Sequence, residues 1–345
     1  MSATADASNG GLPADLRKKI DDLSLFPLWE SRVAHGAGNG MPDDGNLWRW
    51  SDLRSVITEV AEIASPKVVE RRVLELTDPR EHYVDGEGII GTITATVQML
   101  KPGERARPHR HSMNAVRFVI ESTGGAKTVV DGKDLAMEVG DLVLTPAWCW
   151  HAHVHDGADP VIWLDVLDLP IHRFLGTEAF QPGPVADAHE QTPESAFATP
   201  NIVPVLGRTA RDYSPVFRYP WADVVRALEA FPDPDAKVRR VRYNNPATGG
   251  ASLAFLDFGV TQIESGADIA VDVTVADTVY HVVEGEGTAT VGDTGRTLST
   301  KDIFTVPGGR PLRLRSTGAQ PLRLFTSTNR PLFDKLGLVS RTDPD

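Results

Sequence analysis

GERARPHRH at residues 103–111 and PAWCWHAHVH at residues 146–155 bracket the stretch that decides the fold. His109 and His111 stand two residues apart, a spacing that in an extended strand puts both imidazoles on one face. His151 follows the Pro146-Ala-Trp-Cys-Trp run at the end of a second strand-like segment, and an antiparallel excursion between the segments returns it beside the first pair. The stretch predicts β-structure in which three neutral nitrogen donors meet on one side of a metal ion.

Outward from it the texture is the same. From Val68 onward β-branched residues dominate short runs (VVERRVLEL, GIIGTITATVQML, AVRFVIES, DLVLTP, VIWLDVLD) parted by Gly, Pro and Asp turns, the pattern of an antiparallel barrel or sandwich. Toward the N-terminus, Pro13 to Leu25 reads as a short helix. A better one runs from Trp50 to about Ala64, with Ser51 as N-cap and Leu53, Val56, Ile57, Val60 and Ile63 on one face. Beyond Leu169 the pattern loosens, and Pro182, Pro184, Pro193, Pro200, Pro204 and Pro215 suit a linker over the surface with one short helix from Trp221 to Phe231. Strand texture resumes at KVRRVRY and continues to about Phe325. The expected division is a helical arm at 1–67, a metal-binding domain at 68–170, a linker at 171–236 and a metal-free domain at 237–345.

The second strand region repeats the first. AVRFVIESTG at 115–124 lies against TVYHVVEGEG at 278–287, and GDLVLTP at 140–146 against KDIFTVP at 301–307. In that register His109 falls on Asp272, His111 on Thr274 and His151 on Leu312. A barrel needs its turn glycines and alternating apolar positions in both copies, but it needs no histidine at these places. The second copy is an internal control against a purely structural role for the three.

Composition bounds the function. A chain of 345 residues exceeds one ordinary core, and 41% hydrophobic with 24% charged content is that of a soluble globular protein. A formal charge of -12 argues against nucleic acid or an anionic membrane as partner, so an anionic substrate must be met by local arginines. With Cys149 alone, no internal disulfide forms. The first residues read as a flexible lead, and no run approaches the roughly 20 apolar residues of a membrane span. The cytoplasm is the expected compartment.

The spacing Gly103, His109-Arg110-His111, then Gly140, Pro146 and His151 resembles the two motifs of the cupin superfamily, here without the glutamate ligand, whose place Ala115 and Val116 take. PHRHSMNAVRF, TPAWCWHAH and VIWLDVLDLP are similar to the gentisate and salicylate 1,2-dioxygenases within it. The resemblance implies an all-β bicupin: two jelly-roll barrels with N-terminal helices. It also implies Fe(II) on His109, His111 and His151, and opening of a 2-hydroxybenzoate by O2 between its hydroxyl- and carboxyl-bearing carbons. Three histidines leave three positions of an octahedral ion for the two substrate oxygens and dioxygen. An isomerase would keep the carboxylate ligand, and a storage or ligand-binding bicupin has no reason to keep matched histidines in one half.

The same resemblance points to Arg117 as the fork for the substrate carboxylate and to Arg72 as a second pocket arginine, with Arg71 on the opposite strand face leaving the roles of the pair open. Gln98 is expected to donate to the substrate hydroxyl or to oxygen, and His153 to act as acid, base or oxygen holder. Trp148 and Trp150 are expected to wall the pocket, with Cys149 a small buried residue between them and His155 facing solvent. His82 and His281 read as satisfied histidines, and Gly285-Glu286-Gly287 as a hairpin turn. Gentisate enzymes commonly carry glutamine at Met113 and an acid at Ala152. Losing both polarities favours a 5-substituted salicylate such as 5-nitrosalicylate, with gentisate as the alternative. The aromatic N-terminal helices suggest a dimer or tetramer.

Overall fold

The computed structural model describes residues 44–63, 72–77, 89–199, 202–205 and 212–338. The helix expected over 13–25, Arg71 and His82 lie outside them. A two-residue strand β1 (Leu47–Trp48) and helix α1 (Trp50–Ile63) precede the first barrel. Its strands are β2 (Val73–Leu76), β3 (Thr94–Leu100), β4 (Arg105–His111), β5 (Ala115–Glu121), β6 (Ala126–Val130), β7 (Lys133–Ala136), β8 (Leu142–Thr145), β9 (His151–His155) and β10 (Val161–Leu167). Helix α2 (Leu169–Phe174), β11 (Phe180–Pro182), a 3-10 turn (Glu194–Phe197), β12 (Arg218–Tyr219) and α3 (Trp221–Glu229) connect it to the second. That barrel comprises β13 (Val238–Arg242), β14 (Asp257–Ile263), β15 (Asp268–Val271), β16 (Thr278–Glu284), β17 (Gly287–Val291), β18 (Thr294–Leu298), β19 (Ile303–Val306), β20 (Leu312–Ser316) and β21 (Leu322–Thr328), and α4 (Arg330–Leu336) follows.

All pairing is antiparallel. One barrel is the sheet β12-β8-β5-β10-β3-β2 against β11-β4-β9-β6-β7; the other is β1-β19-β16-β21-β14-β13 against β15-β20-β17-β18. Every strand from β2 to β10 has its counterpart from β13 to β21, in the register read from the sequence. The second interior is largely apolar: Val282, Phe304 and Leu324 from one sheet meet Val291, Leu312 and Leu314 from the other. Phe118 stacks on Phe325 with ring centroids 4.1 Å apart, which joins the outer faces of the two six-stranded sheets.

The connecting segments are exchanged. β1 precedes the first barrel yet pairs with β19 of the second, while β12 precedes the second yet pairs with β8 of the first. Each is followed by a helix whose opening N–H is taken by an aspartate at the equivalent turn: Trp50 N donates to Asp302 (3.0 Å) and Trp221 N to Asp141 (2.9 Å). These positions correct two sequence expectations. Ser51 lies inside α1, exposed, and the cap comes from Asp302 some 250 residues away. The buried stripe of α1 is Trp50, Ile57 and Ala61, with Val56 and Ile63 exposed, because the helix is seated by its first turn rather than by its most apolar arc. The connection between barrels is likewise more than a surface linker, since β11 and β12 extend both sheets of the first barrel.

Among the described residues, no helix is long and apolar enough to cross a membrane.

Candidate metal centre

β4 and β9 are neighbours in the five-stranded sheet, and His109 is the direct register partner of His151. A register shift between Ala106 and His109, where Pro108 lacks an N–H, lets both strands turn their histidines inward. All three rings are buried, at 1–3% exposure, and their ligand atoms lie within 4.8 Å of one another.

Each ring is oriented by its own strand. Nδ1 of His109 bonds the carbonyl of Arg107 (3.0 Å), Nδ1 of His111 that of Met113 (2.9 Å) and Nδ1 of His151 that of Cys149 (2.9 Å). A carbonyl only accepts, so these three nitrogens hold the protons and the lone pair of each ring lies on Nε2. His151 Nε2 is buried with no hydrogen-bond partner, a costly arrangement for a structural histidine and the expected one for a ligand. Burial holds the His151 imidazole well below its ordinary pKa, reinforced by His109, His111 and Arg117, so it stays in the neutral, ligating form. Three oriented imidazoles with no carboxylate fit a divalent transition metal. Phe180 of β11 stacks on His109 at 5.3 Å and closes the outer side.

A cavity of about 490 Å³ opens beside the triad, lined by His111 from the five-stranded sheet, by Arg117, Gln98, Thr96 and Glu75 from the six-stranded one, and by Met113 between β4 and β5. Arg117 is buried at 4% exposure and over-determined. Its Nε donates to His153 Nε2 (3.2 Å), it bonds Thr145 Oγ1, and Asp165 lies 3.4 Å away. Because His153 Nε2 accepts from Arg117, the proton of His153 sits on Nδ1, which reaches Thr128 Oγ1 at 3.0 Å. His153 stands behind Arg117 and does not line the cavity. Gln98 is 2% exposed with an unpartnered Nε2 in the cavity wall, a donor in want of an acceptor.

Several expected pocket residues are elsewhere. Arg72 grips Glu104 with both terminal nitrogens (2.8 and 3.0 Å) and does not line the cavity; its neighbours Val73 and Glu75 do. Trp148 is 40% exposed and, with Trp150, sandwiches the Arg110 guanidinium at 5.7 and 4.7 Å, and neither indole lines this cavity. His155 is fully buried rather than solvent-facing, because β9 alternates with all three histidines inward and Asp159 O accepts from its ring at 2.6 Å. By the same alternation Ala152 turns away from the metal face, while Met113 remains in the cavity. Cys149 is buried, as expected, 3.5 Å from the Tyr213 hydroxyl. Asp165, Thr145, Phe180 and Glu75 escaped the sequence reading; only Asp165 left a signal, as a charged residue inside the apolar run VIWLDVLD.

Comparison with known proteins agrees with this arrangement. The cupin domain family matches residues 96–167. The chain is 34% identical to a gentisate 1,2-dioxygenase of Ralstonia sp over 95% of its own length and 93% of the relative's. It is 31% identical to a 5-aminosalicylate 1,2-dioxygenase of Comamonas sp, covering 85% of this chain and 79% of that one. Its structure is similar to that of a salicylate 1,2-dioxygenase from Pseudaminobacter salicylatoxidans, with a TM-score of 0.84, 31% identity, and 96% and 97% of the two chains covered.

Proposed function

The chain belongs to the gentisate and salicylate 1,2-dioxygenase family of the cupin superfamily, and from that premise we propose that it opens the ring of a 2-hydroxybenzoate between the hydroxyl- and carboxyl-bearing carbons, using Fe(II) and O2. The observation that carries the reading is one cavity lined both by His111, a member of the buried three-histidine cluster, and by the buried guanidinium of Arg117.

His109, His111 and His151 would hold a ferrous ion, which would supply the redox and Lewis-acid chemistry for activating dioxygen toward the bound aromatic acid. The residues of the chain supply the rest. Arg117 binds the substrate carboxylate through a fork already aimed by His153, Thr145 and Asp165, so little entropy is lost on binding. Gln98 Nε2 donates to the oxygen at ring carbon 2 and thereby gains the partner it lacks. His153 serves Arg117 as a positioning residue, since both its ring nitrogens are engaged. Leu167, Leu169 and Phe180 cover the ring and keep bulk water from the reacting carbons.

We assign the metal chemistry to residues 68–170 and a structural role to 237–345, with 1–67 and 171–236 as arm and linker. We further place the enzyme in the cytoplasm, in aromatic-acid catabolism and as a dimer or tetramer. Among substrates, Met113 in the cavity supports a 5-substituted salicylate, 5-nitrosalicylate and gentisate both included; Ala152, facing away, lends no support. The test is oxygen uptake by iron-loaded protein given gentisate, salicylate and 5-nitrosalicylate in turn. Uptake with loss of the aromatic absorbance is expected; none with any of them would instead favour an isomerase or a binding bicupin.

A further inference from the structure

The cavity carries a row of polar side chains that the sheet places side by side. Glu75 of β2 is the register partner of Thr96 on β3, Thr96 of Asp165 on β10, and Asp165 of Arg117 on β5. All four line the cavity. Thr96 Oγ1 lies 3.4 Å from Asp165 Oδ2, and Asp165 Oδ1 lies 3.4 Å from Arg117 Nε. The rung runs guanidinium, carboxylate, hydroxyl, carboxylate, and three strand spacings set its ends roughly 14 Å apart in backbone terms. That span leaves room for one aromatic ring between inward-reaching side chains at the two ends.

The twin barrel provides the control. By the same pairings its rung is Arg242, Gly259, Thr326 and Tyr280. Arg242 turns to Asp257 at 2.7 Å, Thr326 bonds Gly259 O at 3.2 Å and Tyr280 stacks on Phe304 at 4.7 Å. Neither carboxylate of the rung has a counterpart in the twin, so folding does not require them.

We propose that Glu75 is the specificity residue for the substituent at ring carbon 5, selecting groups that donate a hydrogen bond. The inference rests on the ring-opening function above and narrows its substrate class to gentisate-like and 5-aminosalicylate-like acids. With the carboxylate at Arg117, the ring directs its far edge along the rung toward Glu75. A hydroxyl or amino group there donates to the carboxylate, whereas a nitro group presents only oxygen acceptors to it. Discrimination arises because the mismatched pair leaves a partly buried carboxylate facing like polarity.

The test compares gentisate, 5-aminosalicylate and 5-nitrosalicylate on wild type, Glu75→Gln, Glu75→Leu and Arg117→Lys. Each is assayed by kcat/KM from oxygen uptake and by anaerobic binding to the iron-loaded protein. Wild type is expected to favour the two donor substrates over the nitro compound at least tenfold. Glu75→Leu should cut that ratio tenfold or more, and Glu75→Gln, which keeps an acceptor, should retain part of it. Arg117→Lys should weaken all three together and leave the ratio in place, since every substrate has the carboxylate. A wild-type preference for 5-nitrosalicylate, or an unaltered ratio in Glu75→Leu, would overturn the assignment. Discrimination in binding without any turnover would sink the ring-opening reading and leave Glu75's role standing.

Discussion

His153 reaches the substrate only through Arg117, and that predicts how its loss will read. His153→Ala frees the guanidinium to rotate, so KM for the aromatic acid should rise about tenfold with a smaller fall in kcat, and His153→Gln, which restores an acceptor, should recover part of the loss. Arg117→Lys removes the fork itself. Losing a charge-assisted bond costs about 1.5–3 kcal/mol, a rise in KM of roughly 10- to 100-fold in steady-state assays. His151→Ala removes one of the three proposed ligands and should abolish iron retention, measured by metal analysis after gel filtration. At this scale the sequence was most informative where chemistry repeats a spacing. His109-Arg110-His111, and the lack of a histidine at the three matching positions Asp272, Thr274 and Leu312 of the twin, pointed to the three rings whose ligand atoms the fold gathers within 4.8 Å. It was least informative where a side chain's face depends on its strand's neighbours. Arg72 and Glu75 differ in face by strand parity alone, and nothing local says that Glu104 waits to pair with the first. Trp148 was misjudged because its backbone adopts φ 61, which breaks the alternation that a run of strand-like residues implies.

At the level of elements, the two barrels close their strands with the same clamp built from exchanged residues. Asn114 N and Nδ2 both donate to Asp168 (2.8 Å each), while in the twin Asp277 N and Asn329 Nδ2 bond across the equivalent positions (2.8 and 2.9 Å). Burial raises the pKa of both Asp168 and Asp277. Asn114→Asp should set two buried carboxylates together and destabilise the protein by about 2–3 kcal/mol at pH 7. Adding Asp168→Asn recreates the twin's arrangement and should recover most of that loss in urea unfolding. The strands themselves were legible from alternation and turn residues, as was α3. The short strands β11 and β12 were not, because two or three residues in a proline-rich segment carry no periodicity and owe their pairing to a distant edge. The α1 face failed for a related reason: Arg49 and Trp50 fasten the helix to Asp302, and that anchor decides which side is buried.

Across the whole molecule, His281 stands where the first barrel has Phe118, and the two rings meet at 5.4 Å between the barrels. Burial, helped by the nearby Lys301 charge, pushes its pKa from 6.5 down to about 3. The folded protein keeps this ring neutral while the unfolded chain protonates it below pH 6.5, so stability is lost as pH falls from there toward 3. The loss approaches roughly 5 kcal/mol at the lower end. Asp141, Asp168, Asp257 and Asp277, raised by burial, act in the opposite sense and are common to both proteins in the comparison. His281→Phe should therefore unfold at the same or lower urea concentration near pH 7 and at a clearly higher one near pH 4.5 relative to wild type. The bicupin plan was readable from the repeat alone, but the crossing of β1 and β12 was not, since each precedes the barrel it does not join. That crossing governs how the chain acquires its shape during synthesis. Leu47 and Trp48 emerge from the ribosome some 255 residues before the edge they will occupy at Ile303 and Phe304. The first half likewise waits for Arg218 and Tyr219 to finish its own sheet. The first barrel can therefore close once β12 has emerged, whereas the second, with β1 waiting for it, cannot close before β21. Nascent chains should gain protease resistance in two steps, after Tyr219 and after Thr328.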